Sequence, residues 1–378
     1  MSAYLDNNAT TEIDPRVAET LSDASLQFYG NPSSLHTLGQ LSREQLTLAR
    51  RSVAEELEVN PSDLVFTSSA TEAINTYLKG TFSSNPVGRL LTSSLEHTCT
   101  VATAEYLKGQ GVEVDLLPGT EWGAPTVEEV EAALKPDTKL VSLMWVNNET
   151  GVFTDIEKVA ELCQSRGVAL FVDAVALGGK GKIQVPDGVT GLTLSAHKFH
   201  GPKGVGLLFL RNRSEIEPLL HGGHQENGMR AGTENLIGIL GFSKALEIAS
   251  KERDVSAKRM RAQLERFESQ ILGSLEDVHQ IGAGPRICNT STLAFEGVDG
   301  ESLIMSLDLQ KIYASFGSAC SSGSREPSRV VLQMGYPKKI AGGALRFSLS
   351  RFTTDKEIDY ASEVIVSTVK QLRELSRS

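Results

Sequence analysis

The sequence has few cysteines, no surplus of basic residues and no long hydrophobic run, and each shortage excludes a class of protein. Its 4 cysteines form neither a CxxC metal motif nor a dense disulfide framework. Asp and Glu number 47 against 37 for Lys and Arg, so the net charge of −10 argues against nucleic-acid binding. Stretches such as 140–146 are too short to span a bilayer, and residues 1–14 lack a signal-peptide pattern. We therefore expect a reduced, cytoplasmic protein without a membrane partner.

The pattern of apolar residues predicts an α/β protein. Of the 378 residues 40% are apolar and 22% are charged, which is typical of a globular protein, and roughly 150 residues per domain gives two or three domains. Apolar runs alternate with amphipathic stretches, which favours a mostly parallel sheet covered by helices. A long charged helical pattern begins near residue 245. We predict a large α/β domain at 16–249 and a smaller α+β domain formed by 1–15 and 250–378. Strands are predicted at 139–146, 168–172, 191–195 and 205–210, and helices at 43–59, 155–166 and 356–375.

Three segments place a lysine, an aspartate and hydroxyl-rich residues directly after predicted strands. Lys198 lies between two histidines, where a lysine of lowered pKa can form a Schiff base; a basic surface turn is the alternative. Asp173 can pair with a protonated ring nitrogen or cap a helix. Thr71 stands where a strand meets a helix, which suits a phosphate or an ordinary capping box with Glu72. Together the segments predict a pyridoxal 5′-phosphate site.

Short motifs run in a fixed order along essentially the whole chain. They are YLDNNATT (4–11), NPSSLH (31–36), EH (96–97), WVNNETG (145–151), VDAV (172–175), SAHKFHGPKG (195–204), RAGTEN (230–235), GSAC (317–320) and LRFSLSRFTT (345–354). In these motifs the chain resembles the cysteine desulfurases of the NifS/IscS type, which belong to the class V aminotransferase-like family. The resemblance implies the PLP-dependent transferase fold (fold type I, aspartate-aminotransferase-like) and a homodimer.

The resemblance also implies a role for each site residue. Lys198 binds the cofactor aldehyde and later takes the Cα proton of the substrate, while Asp173 pairs with the pyridinium. His97 stacks on the ring and is expected to exchange protons near neutral pH. Asn148 contacts the phenolic oxygen of the cofactor and, with Arg346, the substrate. The phosphate is held by Ala70, Thr71, Ser195, His197 and, from the neighbouring subunit, Thr233.

Cys320 decides the reaction that the resemblance implies. It lies in the Ser/Gly-rich stretch 315–328, which we expect to be exposed and mobile. Its thiolate would take sulfur from L-cysteine as a persulfide, leave L-alanine, and pass the sulfur to an acceptor such as an IscU/NifU-like scaffold for iron–sulfur cluster assembly. No resident metal is predicted, because His221 and His224 lack a third ligand. A transient iron–sulfur cluster at Cys320 is the one metal contact left open.

The chain departs from the family pattern at three positions. Ala176 stands where Gln is usual, Ser69 where Gly is usual, and Phe171 where His is usual. Ala176 removes one hydrogen bond to the cofactor, worth ~1 kcal/mol, so we expect altered absorbance and retained activity.

Three alternative functions stay open: a selenocysteine lyase, a class V aminotransferase and a non-catalytic scaffold of the same fold. An aminotransferase needs no thiol at Cys320. A scaffold that had lost its chemistry would be expected to lose Lys198 or Cys320, and both are present.

Overall fold

Strands and helices alternate along most of the chain in the computed structural model, which describes residues 1–317 and 327–376. Within these ranges the strands are β1 (Ala3–Tyr4), β2 (Leu64–Thr67), β3 (Arg89–Ser93), β4 (Glu113–Leu117), β5 (Thr138–Met144), β6 (Ala169–Asp173), β7 (Gly191–Ser195), β8 (Gly206–Leu210), β9 (Val278–Gln280), β10 (Thr290–Phe295), β11 (Ile312–Tyr313), β12 (Ser315–Phe316) and β13 (Ala344–Ser348). The α-helices are α1 (Pro15–Gln27), α2 (Thr37–Leu57), α3 (Ala70–Ser83), α4 (Thr98–Gly109), α5 (Val127–Ala133), α6 (Ile156–Arg166), α7 (Leu236–Ser274), α8 (Gly300–Leu309), α9 (Arg329–Gln333), α10 (Lys338–Ala341) and α11 (Asp355–Leu375).

The largest sheet has 7 strands in the order β2-β8-β7-β6-β5-β3-β4. Neighbouring strands in this sheet are parallel, except that β8 runs antiparallel to both β2 and β7. Strands β6, β7 and β8 consist almost entirely of buried residues, because helices cover both faces of such a sheet. The predicted mostly parallel α/β sheet is confirmed. The carboxyl ends of its parallel strands meet at one edge, which is where ligands bind in folds of this kind.

Local capping explains where several helices begin and end. Helix α2 begins at Thr37, earlier than the predicted residue 43, because Nδ1 of His36 accepts the N–H of Gly39 at 3.3 Å and caps the helix. Helix α6 ends at Gly167, as predicted, and this residue takes up φ 66°. The predicted strands at 139–146, 168–172 and 205–210 are observed within two residues of their predicted ends.

The smaller sheets join distant parts of the chain. Strands β12, β13, β10 and β9 form an antiparallel sheet, and β1 pairs in parallel with β11. One continuous apolar core extends from β6 through α7 to α11. Helix α7 packs against α1, α2 and α11, and the predicted domain division at residue 249 falls inside it and stays a prediction. Over the described part of the chain, no helix is both long enough and apolar enough to cross a bilayer.

Candidate active site

A cavity of about 350 Å³ lies at the carboxyl edge of the large sheet. It collects residues that the sequence scatters over most of its length, and nearly all of the predicted site residues line it: Ala70, Thr71, His97, Asn148, Asp173, Ser195, His197, Lys198 and Arg346. Two predicted residues are not among them. Thr233 lies in a separate depression beside Ser68 and Gly204, and Cys320 lies outside the described residues.

Lys198 enters the cavity from a tight turn. Strand β7 ends at Ser195, and the next residues form the 3₁₀ turn Ala196–Lys198. The Nζ of Lys198 donates hydrogen bonds to the main-chain oxygens of Asn8 and Ala9, the latter at 2.9 Å. The N-terminal segment therefore holds the lysine amine at the wall of the cavity.

Asp173 is the last residue of β6 and is buried. Burial raises the pKa of Asp173 to about 6, although the N–H of Val175, which donates to Oδ1 at 2.9 Å, and the charge of Lys198 act against that shift. A cationic partner in the cavity would lower this pKa again. The carboxylate is therefore suited to a positively charged group.

His97 caps α4 with its ring. Its Nδ1 accepts the N–H of Cys99 at 3.2 Å, so the proton of the neutral ring is assigned to Nε2. Burial, helped by the charges of Lys198 and Arg329, lowers the pKa of His97 to about 4. In this environment His97 is a neutral ring with an N–H donor, and its predicted role in proton exchange stays a prediction.

The start of α3 forms one end of the cavity and is suited to an anion. Ser69 caps the helix, its Oγ accepting the N–H of Glu72 at 3.2 Å, and its φ of −170° is extended backbone that needs no glycine. A Cβ on Gly206 would lie 2.6 Å from the main chain of Ser69, so glycine lets β8 approach the helix start. Ala70 and Thr71 follow, and their backbone N–H groups belong to the first turn.

Arg346 projects into the cavity from β13 of the smaller sheet. Its Nη2 lies 2.9 Å from Oδ1 of Asp6, and its Nη1 donates to the main-chain oxygen of Asn148 at 3.2 Å. The Nε of Arg346 is buried and has no hydrogen-bond acceptor among the described residues. Because buried donors are almost always paired, this guanidinium is suited to bind an anion such as a carboxylate.

Four charged residues in the cavity wall were not predicted from the sequence: Glu96, Glu149, Lys180 and Arg329. The carboxyl of Glu96 is fully buried, and burial raises its pKa well above its usual value. The guanidinium of Arg329 donates to the main-chain oxygens of Ser94 and Glu96. Lys180 lines the cavity, and its Nζ donates a hydrogen bond to the main-chain oxygen of Lys198. Glu96 beside His97 and Glu149 beside Asn148 offered a signal in the sequence, whereas long-range packing brings Lys180 and Arg329 to the cavity.

The three departures from the family pattern lie in different surroundings. Ala176 lines the cavity, where its methyl group offers no hydrogen bond. Ser69 fills the helix-capping position. Phe171 is buried in the core, with its ring 4.7 Å from that of Tyr77, and is not part of the cavity wall. Of the three, Ala176 and Ser69 are in position to affect a bound ligand directly.

Comparison with known proteins gives full-length matches. The sequence matches the family described as Aminotransferase class-V over residues 3–361. It is 41% identical over 379 residues to a cysteine desulfurase of Enterobacter agglomerans, covering 99% of this chain and 94% of that protein. A cysteine desulfurase of Klebsiella pneumoniae is 43% identical over 378 residues, with the same coverage of 99% and 94%.

Solved structures agree with these matches. A NifS-like protein superposes with a TM-score of 0.91 at 36% identity, covering 98% of this chain and 100% of that chain. The structure of SspA in complex with cysteine superposes with a TM-score of 0.83 at 29% identity, covering 93% of this chain and 100% of that chain.

Proposed function

Because the chain belongs to the class-V aminotransferase family, among the cysteine desulfurases, we propose that it is a pyridoxal 5′-phosphate-dependent cysteine desulfurase. It would convert L-cysteine to L-alanine and take the sulfur onto a cysteine of its own. The observation that carries the proposal is the cavity itself, in which an amine, a buried carboxylate and a helix start lie together. Enzymes of this family depend on pyridoxal 5′-phosphate, so the cofactor is the ligand to test against these residues.

The cavity offers a suitable group for each part of that cofactor: the aldehyde, the ring nitrogen and the phosphate. Lys198 supplies the amine for the aldehyde, and Asp173 supplies an anion for the ring nitrogen. The first turn of α3, with Ser195 and His197 opposite, supplies donors for the phosphate. When bound, the cofactor supplies an electron sink for negative charge at the substrate Cα.

The remaining residues orient L-cysteine and move its proton. Arg346, which lines the cavity, would bind the substrate carboxylate through its planar fork of N–H donors. The amine of Lys198, held beside Asn8 and Ala9, would take the Cα proton of the bound substrate. His97 would stack on the cofactor ring as a neutral imidazole, since burial lowers its pKa to about 4.

The proposal extends to groups beyond the described cavity. We assign the attack on the substrate sulfur to Cys320, which lies outside the described residues, and we assign to Thr233 a contact with the phosphate of a second copy of the chain. A homodimer, a cytoplasmic location and a scaffold protein as sulfur acceptor belong to the same proposal. The motifs RAGTEN and GSAC support the homodimer and the sulfur acceptor, and the few scattered cysteines support the cytoplasmic location.

Product analysis tests the proposed reaction. The protein loaded with pyridoxal 5′-phosphate is given L-cysteine, and L-alanine and protein persulfide are measured for wild type, K198A, C320A and, as a control, C163A at a buried helical cysteine. We expect alanine and a persulfide on residue 320 in wild type and C163A, and neither in K198A. Sulfide is measured in a parallel assay with a thiol reductant, which cleaves a persulfide to thiol and sulfide. Equal sulfide release by wild type and C320A in that assay would overturn the role of Cys320, and alanine formation that requires an amino acceptor would indicate an aminotransferase. Faster turnover of L-selenocysteine in C320A than of L-cysteine in wild type would favour a selenocysteine lyase.

A further inference from the structure

A second lysine, Lys180, is buried directly behind Lys198. It lies on the segment that follows β6, and the whole residue is only 8% exposed. Its Nζ donates to the main-chain oxygen of Lys198 at 3.1 Å and to that of Gly178 at 3.4 Å. Within residues 1–317 and 327–376, no carboxylate lies within ion-pair distance of this amine. Buried lysines without a carboxylate partner are uncommon, because removing the charge from water is costly.

The backbone is built to place Lys180 there. Gly179 has φ 71°, and a Cβ on it would lie 2.5 Å from Cβ of Phe199, the residue that follows Lys198. Only glycine lets the segment pack this closely against the turn that carries Lys198. The two lysines are therefore held together by main-chain packing on one side and by the Nζ hydrogen bond on the other.

The other titratable groups around Lys180 do not offset its charge. They are Lys198 and His197 on the turn after β7, His200 beyond it, and Cys288 before β10. Burial raises the pKa of the Cys288 thiol, and burial lowers the pKa of both histidines to about 4. All three are therefore neutral at pH 7. Burial, with the charge of Lys198, lowers the pKa of Lys180 to about 8, so Lys180 still carries its charge at that pH.

We propose that Lys180 is a positioning residue for the proposed reaction: a buried cation that holds the main chain of Lys198 and disfavours a second positive charge on its side chain. A lysine beside another cation in a dry site loses its proton more readily, and the neutral amine is the form that attacks a carbonyl or accepts a proton. The carboxylate of Asp173 favours the charged form of Lys198, and Lys180 opposes that effect, which keeps Lys198 reactive near neutral pH. This inference rests on the proposed function, because it assigns the reactive amine to Lys198.

A spectroscopic titration tests the inference. Wild type, K180M, K180R and K182M are loaded with pyridoxal 5′-phosphate, and the visible band of the cofactor is followed from pH 5 to 9. Methionine removes the charge at nearly constant length, arginine retains a charge, and Lys182 is an exposed lysine paired with Glu58. We expect the midpoint of K180M to rise by about one pH unit, while K180R and K182M stay within about 0.3 unit of wild type. A midpoint in K180M equal to that of wild type would overturn the inference.

A second experiment measures the reactivity of the Lys198 amine in protein to which no cofactor has been added. The full-length protein, with no cofactor added, is treated with formaldehyde and cyanoborohydride at pH 7, and methylation of Lys198 is followed by peptide mass spectrometry. We expect methylation to be about tenfold slower in K180M and in K180Q than in wild type, because a pKa higher by one unit leaves tenfold less neutral amine. An unchanged or faster rate in both variants would contradict the inference. If wild type binds no cofactor at Lys198, the proposed function fails, and this comparison still tests Lys180.

Discussion

Burial sets the ionisation of single residues in the cavity. Asp173, His97 and Glu96 all have displaced pKa values, and removal from water is the main cause for each. The shifts favour the neutral form in every case, because these side chains are shielded from water, and charges near them act strongly. Asp173 is the acid with the smaller shift, and the N–H of Val175 and the charge of Lys198 help to keep it ionised.

Replacing Asp173 tests this assignment at the residue scale. We expect D173N to reduce alanine formation about 10- to 100-fold, because a hydrogen bond between charged partners contributes about 1.5–3 kcal/mol. The measurement is kcat with saturating pyridoxal 5′-phosphate. The same substitution at the exposed residue Asp187 serves as control and should leave kcat unchanged. A D173N enzyme within twofold of wild type would show that the carboxylate does not face the cofactor.

At the scale of elements, the strands of the large sheet could be predicted because each is encoded by a short run of neighbouring apolar residues. Strands β6 and β7 are short, fully apolar runs that end in Asp173 and Ser195, and their order along the chain fixes where Asp173 and Lys198 meet. The positions of Lys180 and Arg329 could not be predicted. Each reaches the cavity through contacts with main-chain oxygens of residues far away in sequence, and such contacts leave no periodic pattern.

The residue that caps the start of α3 is predicted to contribute to the stability of the protein. Ser69 caps the helix through its Oγ in an extended conformation. We expect S69A to lower the free energy of unfolding by ~1 kcal/mol and S69G by only a few tenths, because glycine is tolerated at this position and alanine is not. Urea unfolding measures both. Equal losses for the two variants would show that the Ser69 hydroxyl does not stabilise the helix.

The turn after Lys198 gives a prediction that depends on pH. His200 is buried with φ 69°, its Nδ1 lies 2.7 Å from the main-chain oxygen of Glu12, and its ring lies 4.5 Å from that of Phe352. Burial, aided by the charge of Arg351, lowers the pKa of His200 from 6.5 to about 4. The folded state therefore favours the neutral ring, and the stability this contributes is present above pH 6.5 and lost as the pH falls towards 4.

Substitution of His200 by asparagine isolates that contribution, since asparagine tolerates a positive φ. The other titratable groups are the same in wild type and H200N, so their contributions cancel when the two proteins are compared. We expect the difference in unfolding free energy between them to shrink by about 2 kcal/mol from pH 8 to pH 5, as measured by urea unfolding at each pH. A difference that stays constant with pH would mean that burial does not hold His200 neutral.

At the scale of the whole molecule, a buried ion cluster joins three distant parts of the chain. Asp14 is 1% exposed and binds Arg351, which also lies 2.6 Å from Glu252 of α7. Arg16 completes the cluster from a half-exposed position, 2.8 Å from Asp14. Hydrogen bonds from Arg16 and Arg351 keep the pKa of the Asp14 carboxyl well below its usual value, even though burial acts the other way. The cluster fastens the N-terminal segment, and so Asn8 and Ala9, beside the cavity.

The two arginines of the cluster should differ in their effect on stability. We expect R351M to lower the free energy of unfolding by about 3 kcal/mol, because it leaves a buried carboxylate without its buried partner. R16M removes a half-exposed partner and should cost less than about 1 kcal/mol. Urea unfolding of the two variants side by side makes the comparison, and equal losses would contradict the assigned role of the buried pair.

Identifying the lysine to which the cofactor is covalently joined is the sharpest test of the proposed site. The protein loaded with pyridoxal 5′-phosphate is reduced with borohydride, digested, and its peptides are analysed by mass spectrometry. We expect a pyridoxyl group on the peptide that contains Lys198 in the wild-type protein and none on that peptide in K198A. A pyridoxyl group on Lys180 in the wild-type protein, or on no lysine at all, would contradict that expectation.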